Sequence, residues 1–229
     1  MLKIDKLGRS SKQMANTHTF SKGEEIANAI SHGIGALLSI AALVLLIVFA
    51  SIHGSAWHVV SFTIYGSTML LLYLSSTLFH SLPKGKAKYV FEIFDHSSIY
   101  FFIAGTYTPF LLIIVKGALG WTLFGIVWAM AIGGTIFKVF FVRKFIFTST
   151  IIYVVMGWLI VFAWSSLTAA LDPKGVILLI SGGVLYTVGS IFYVWQGFKY
   201  NHLVWHIFVI AGSTLHFFCV LFYVLPIAR

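Results

Sequence analysis

The chain has 229 residues, 59% of them hydrophobic and 9% charged, with a mean hydropathy of +0.97, which excludes a soluble globular domain and points to a polytopic membrane protein. Fifteen Lys and Arg against six Asp and Glu give a formal charge of +9, but the basic residues sit in one tail and in short breaks between apolar blocks, a pattern that orients membrane proteins and is not a nucleic-acid footprint. The single cysteine, Cys219, excludes an intramolecular disulfide and Cys-rich metal motifs, so any metal must be held mainly by His, Asp or Glu.

Residues 1–20 are polar and basic, with Lys3, Lys6, Arg9 and Lys12 and no apolar core of their own, and read as a cytosolic tail rather than a signal peptide. The rest, 21–229, reads as one transmembrane domain. Ser21-Lys22-Gly23-Glu24 has the S-x-x-E form of a capping box and predicts the start of the first helix. Seven apolar runs follow, each near the roughly 20 residues that cross a bilayer: 28–51, 57–82, 92–115, 118–142, 147–168, 176–197 and 202–225. Most breaks pair charge with a turn residue, as in Pro83-Lys84-Gly85-Lys86 and Asp172-Pro173-Lys174-Gly175. The break near Gly54 is uncharged, and the one at Arg143-Lys144 has no turn residue. Glycines within the spans (Gly33, Gly35, Gly133, Gly134, Gly182, Gly183, Gly189) suit close helix packing. Pro109 predicts a bend in the third span.

With the N-terminus in the cytosol, Lys3, Lys6, Arg9, Lys12, Lys22, Lys84, Lys86, Lys88, Lys138, Arg143, Lys144 and Lys199 lie on the inner side. Only Lys116, Lys174 and Arg229 are then outside. The expected fold is therefore all-α, seven transmembrane helices, N-terminus cytosolic and C-terminus outside. That orientation sets the polar residues in depth. The second span ends at the inner face with Ser76 and His80, the third begins there with Asp95 and His96, and the seventh begins there with His202 and His206. Four potential ligands on three helices thus reach one inner-leaflet level, a place where ionisable groups are costly.

His202 and His206 are one helical turn apart, the spacing with which a helix offers two imidazoles to one metal, although a packed pair has the same spacing. A catalytic zinc takes three protein ligands and a water, and His80 and Asp95 are the candidates for third ligand and base. Glu25, Asn28 and His32 share a face of the first helix at the same end, placed either to orient the ligands or to clamp a neighbouring helix. His216 reads as a packed or hydrogen-bonded histidine, His53 and His58 as outer-loop residues, and His18 as part of the tail.

Three blocks, Glu25-x-x-Asn28-x-x-x-His32, Ser76-x-x-x-His80 followed by Asp95, and His202-x-x-x-His206, resemble the signature of the hemolysin III family, the bacterial branch of the progestin and adipoQ receptor group that includes the adiponectin receptors. The stretches Asp95-His96-Ser97-Ser98-Ile99-Tyr100 and Gly105-Thr106-Tyr107-Thr108-Pro109 are also similar to bacterial members, and the resemblance covers all seven spans. It implies a zinc ion held by His80, His202 and His206, with Asp95 on the metal-bound water and Ser76 close by. The chain is shorter than the eukaryotic receptors, so hormone binding is not expected.

Three function classes follow. Zinc on three neutral histidines activates water, and with Asp95 as base and Ser76 hydrogen-bonding a ligand or oxyanion this makes a hydrolase of lipid amides or esters. The family name carries a second class, a cytolytic pore, and the third is a membrane sensor or regulator with a structural zinc. The expected location is the plasma membrane, with membrane lipids as partners, no nucleic acid, and protein partners that the sequence does not identify.

Overall fold

A computed structural model describes residues 20–195 and 197–227. Among these residues seven helices are long and apolar enough to cross a membrane: α1 (Lys22–His53), α2 (Ala56–Ser81), α3 (Lys86–Val115), α4 (Gly117–Phe141), α5 (Ile146–Ala170), α6 (Pro173–Val194) and α7 (Asn201–Val224). Of the basic tail, only Phe20 lies among the described residues; His18 lies outside them.

The start of α1 follows from its cap. The Glu24 N–H donates to Ser21 Oγ at 3.3 Å and the Ser21 N–H donates to Glu24 Oε2 at 2.9 Å, satisfying two otherwise orphaned donors. Glu24 Oε1 then accepts from the Tyr200 N–H at 3.0 Å, which ties the start of α1 to the start of α7. Tyr200 makes that turn with a left-handed φ of 62°. The turn between α4 and α5, which has no Gly or Pro, is made in the same way by Phe145 at φ 56°, its ring against Phe137 and Phe141.

Two helices change period within the membrane. After Pro109, which has no N–H to give, α3 continues as a π-helical stretch, Phe110–Val115. In α5 a 3₁₀ stretch, Leu159–Ala163, coincides with an inserted side chain: Tyr107 Oη donates to the Gly157 carbonyl at 2.6 Å and accepts from the Ile160 N–H at 2.9 Å.

The pattern of burial on α1 is that of a membrane helix. It buries Asn28, His32, Gly35, Ser39 and Ala42 and turns Ile30, Ile34, Leu37 and Leu38 outward. Small and polar residues thus face the protein and large apolar ones face lipid. In the bundle α1 packs on both α2 and α7, α2 on α3, α3 on α4, α5 on α6 and α6 on α7, and α5 also touches α3 and α4. The most deeply buried helix is α3, 72% of whose most apolar stretch is inside against 56% for α2 and less for the others. It is the axis on which two cores meet. One, around Phe62, Tyr65 and Val220, joins α1, α2, α3, α6 and α7 with Leu167 of α5; the other, around Tyr100, Val127 and Met156, joins α3, α4 and α5. His58, expected in an outer loop, is buried in the first turn of α2, because Ser55 is the N-cap and its N–H donates to His58 Nδ1 at 3.0 Å. His53 is the last residue of α1.

Candidate metal centre

The start of α1, the α2–α3 turn and the α6–α7 turn meet at one end of the bundle, and the polar residues of three helices converge there. His80 is in the last turn of α2, and His202 and His206 are in the first two turns of α7. All three are buried, and one nitrogen from each lies within 4.8 Å of the others. Two imidazoles that share one ion at about 2.1 Å stand at most about 4.2 Å apart, so the trio reaches a common metal with small side-chain movements.

Neighbouring groups set which nitrogen of each ring is available. Glu25 Oε2 is 2.7 Å from His80 Nδ1, and Lys88 Nζ is 2.9 Å from Glu25 Oε1. A carboxylate has no proton to give, so the imidazole donates from Nδ1 and Nε2 keeps its lone pair. The same ammonium also donates to the Phe79 carbonyl at 2.8 Å and the Leu82 carbonyl at 3.3 Å, joining α1, α2 and α3. At His206, Nδ1 is 3.0 Å from Ser31 Oγ, whose single hydroxyl proton goes to the Asn28 carbonyl at 2.9 Å. Oγ therefore accepts from Nδ1–H, and Nε2 of His206 is also left with its lone pair. A ligating histidine held through its other nitrogen by a carboxylate or hydroxyl is the usual surrounding of a bound metal.

The remaining candidates lie around this trio. The His32 ring stacks on His206 with centroids 3.4 Å apart, and the Tyr73 ring meets it in a T-shaped contact with centroids 4.9 Å apart. Asp95 is buried on α3; it is not one of the group whose ligand atoms are mutually close, but it lines the same cavity as His202 and His206. Ser76 Oγ, fully buried one turn before His80, faces Asp95 without a hydrogen bond of ordinary geometry. His96 Nδ1 is 2.8 Å from the Glu92 carbonyl and 3.6 Å from Asp95 Oδ2. Six buried polar atoms around the trio, both amide atoms of Asn28, both nitrogens of His32, Ser76 Oγ and His80 Nε2, have no hydrogen-bond partner among the described residues. At roughly 1–3 kcal/mol for each such atom, that load rivals the whole stability of a domain. The donor set and these atoms fit a centre built to bind a metal and its surrounding polar ligands.

From this centre a cavity of about 120 Å³ runs between α3, α5, α6 and α7 to His216, about 15 Å away along α7 at 1.5 Å per residue. Its walls are mainly aromatic and aliphatic, among them Ile99, Phe102, Tyr153, Tyr186 and Trp205. His216 is held by Nε2 to the Leu179 carbonyl at 3.0 Å.

The profile of the family described as Haemolysin-III related matches residues 20–217. The chain belongs to that family. It is 60% identical to Hemolysin-3 of Bacillus cereus over 205 residues, covering 90% of this chain and 94% of that one. It is equally similar, 60% over 204 residues, to the Hemolysin-3 homolog of Bacillus subtilis (strain 168), covering 89% and 96%. A distant likeness, 28% over 203 residues, covers 86% of this chain and 83% of the human monocyte to macrophage differentiation factor. With its seven apolar helices, this haemolysin-III-related protein is a multi-pass protein of the cell membrane.

Sequence reasoning missed three residues at the centre. Phe20, assigned to the tail, lies with its ring 5.4 Å from that of His80 and 5.0 Å from that of His202, covering both. Ser31 carries no motif, although its place one turn after Asn28 on the polar face of α1 is a usable signal. Lys88 reads as one more basic loop residue until the structure puts it on Glu25.

Proposed function

We propose that this protein is a zinc-dependent hydrolase of membrane lipids, cleaving an ester or amide bond next to the three histidines. The observation that carries the proposal is the meeting, at one place, of a three-histidine donor set, a buried carboxylate outside that set, and an apolar cavity. Zinc bound by His80, His202 and His206 would supply Lewis acidity and a water acidified towards about pKa 7. Asp95 faces the same cavity and takes a proton from the attacking water, then returns it to the leaving group. Ser76 donates its hydroxyl proton to the substrate carbonyl or to Asp95. Glu25 and Ser31 hold His80 and His206 as neutral donors, and the aromatic walls accept an acyl chain and keep bulk water out.

Two alternatives receive less support. A structural zinc with four protein ligands needs Asp95 in the donor set, and its carboxylate is not part of the mutually close group. A cytolytic pore rests on the name given to the Bacillus cereus relative, whereas the interior of the bundle here is packed with buried side chains such as Phe62, Tyr65 and Phe110.

The test is Asp95→Asn, which is nearly isosteric and removes the proton acceptor. Metal content and melting temperature should be unchanged, and fatty-acid release from a panel of lipid amides and esters should fall by about 10²- to 10⁴-fold. Loss of metal together with stability would make Asp95 a structural ligand, and undiminished hydrolysis would remove it as the base.

A further inference from the structure

Lys138 lies where the packing of α4 calls for an apolar residue. The buried stripe of that helix runs Gly120, Leu123, Val127, Ala131 and Lys138, and the lysine is 0% exposed. Its neighbours follow from the register of α4 against α3. A side chain added at Gly120 would meet the Leu111 carbonyl, and one added at Gly134 would meet the phenol carbon of Tyr100 at 2.5 Å. One further turn along each helix brings Lys138 level with Ser97. From the other side, α5 brings Tyr153, its ring 4.4 Å from that of Tyr100, and Ser149 one turn earlier.

Several buried polar atoms at this level are left unsatisfied. Lys138 Nζ, Ser97 Oγ, Tyr100 Oη, Thr135 Oγ1 and Ser149 Oγ are all buried without a hydrogen bond of ordinary geometry among the described residues. The Tyr100 hydroxyl faces both Ser149 and Tyr153 without closing one to either. Many Ser and Thr hydroxyls elsewhere in the spans bond a carbonyl one turn back, including the immediate neighbours of two of these residues: Ser98 donates to Asp95 and Thr150 to Ile146. The nearby acid, Glu92, is engaged by Arg143, with Nε at 3.0 and 2.9 Å from its two oxygens and Nη2 at 2.7 Å from one. No ion pair joins Lys138 to a carboxylate among the described residues.

A buried ammonium whose nearest acid, Glu92, is already paired with Arg143 keeps only part of its charge compensated, and each uncompensated buried charge costs several kcal/mol. An ammonium offers three N–H donors and each hydroxyl one O–H donor, so this level of α3, α4 and α5 is rich in buried donors and carries a positive charge. We propose that Lys138, Ser97, Tyr100 and Ser149 form a binding site for a small monovalent inorganic anion of halide size, distinct from the histidine centre, which ties α3, α4 and α5 together. Neither Lys138 nor Ser97 lines the cavity beside the histidine centre, and with 0% and 4% exposure they leave room for a small ion rather than for a lipid headgroup.

The experiment uses the purified full-length protein in a neutral detergent at constant ionic strength, with gluconate exchanged for chloride or bromide. The melting temperature should rise saturably with either halide. Lys138→Met, which substitutes an apolar chain of similar length and is expected to fold, should lose the saturable response. The double variant Tyr100→Phe with Ser149→Ala keeps the charge and should weaken bromide by on the order of 10- to 100-fold. Equal melting temperatures in gluconate and halide, or a halide response that persists in Lys138→Met, would overturn the site. A response to sulfate, inorganic phosphate or added phosphatidylglycerol without one to halide would overturn the assignment of a small monovalent anion.

Discussion

Replacing Glu25 by Gln should weaken metal binding although Glu25 is not in the three-histidine donor set. Its two oxygens are shared between His80 Nδ1 at 2.7 Å and Lys88 Nζ at 2.9 Å. A glutamine has one acceptor oxygen and one NH2 group for these two donors. If the oxygen takes His80, the NH2 faces an ammonium; if the oxygen takes Lys88, the NH2 faces the imidazole and drives its proton onto Nε2, the nitrogen offered to the metal. Either arrangement loses one charge-assisted hydrogen bond, nominally about 1.5–3 kcal/mol, of which the partial exposure of Glu25 and Lys88 removes a share. A fall in zinc affinity of about 10- to 100-fold is expected, the usual cost of removing the partner of a ligating histidine. Lys88→Met in the same chain should recover part of it, because the NH2 group then turns to solvent and the oxygen is free for His80. The assay is zinc titration of metal-stripped protein against a fluorescent chelator, with wild type, both single variants and the double variant in parallel. Glu25→Gln binding zinc as tightly as wild type, or a double variant that binds no tighter than Glu25→Gln alone, would refute this account of how His80 is held.

Other expectations concern topology, capping and packing. Reporter fusions should place residues 1–20 and the turns at Lys86, Arg143 and Lys199 in the cytosol and the C-terminus outside, from the twelve-to-three distribution of basic residues; a cytosolic C-terminus would contradict the orientation. His58→Ala should cost about 0.5–2 kcal/mol through loss of its bonds to Ser55 at 3.0 and 2.9 Å, read as a lower melting temperature with unchanged zinc content. Gly134→Ala should destabilise by about 1–3 kcal/mol, since its Cβ would lie 2.5 Å from the Tyr100 ring; a melting temperature equal to wild type would mean that α3 and α4 separate more easily than their packing implies.

The number of spans was legible because each needs a long apolar run and each break carries charge or a turn signal, and the capping box at Ser21 located the start of α1 to the residue. Other boundaries were harder to read. The third span begins at Lys86 rather than near 92, because Lys88 is neutralised by Glu25 and two carbonyls and so sits inside a helix. The clustering of His80, His202 and His206 was legible from helix direction alone, which set all three at one depth. The contacts of Ser31 and Phe20 were not, since they depend on how α1 rotates against α7 and on a side chain that precedes the first helix. Nor does hydropathy reveal that Lys138 faces inward; that follows from the stripe ending in it once α4 is seen packed on α3.

The central claim, that three histidines on two helices hold one metal, is tested most directly by the zinc content of the purified protein and of its His202→Ala, His206→Ala double variant. The expected result is about one zinc per chain in the wild type, as for one three-histidine site, and loss of it in the double variant while a His53→Ala control keeps it. Zinc content that is the same in the double variant as in the wild type would contradict the centre described here.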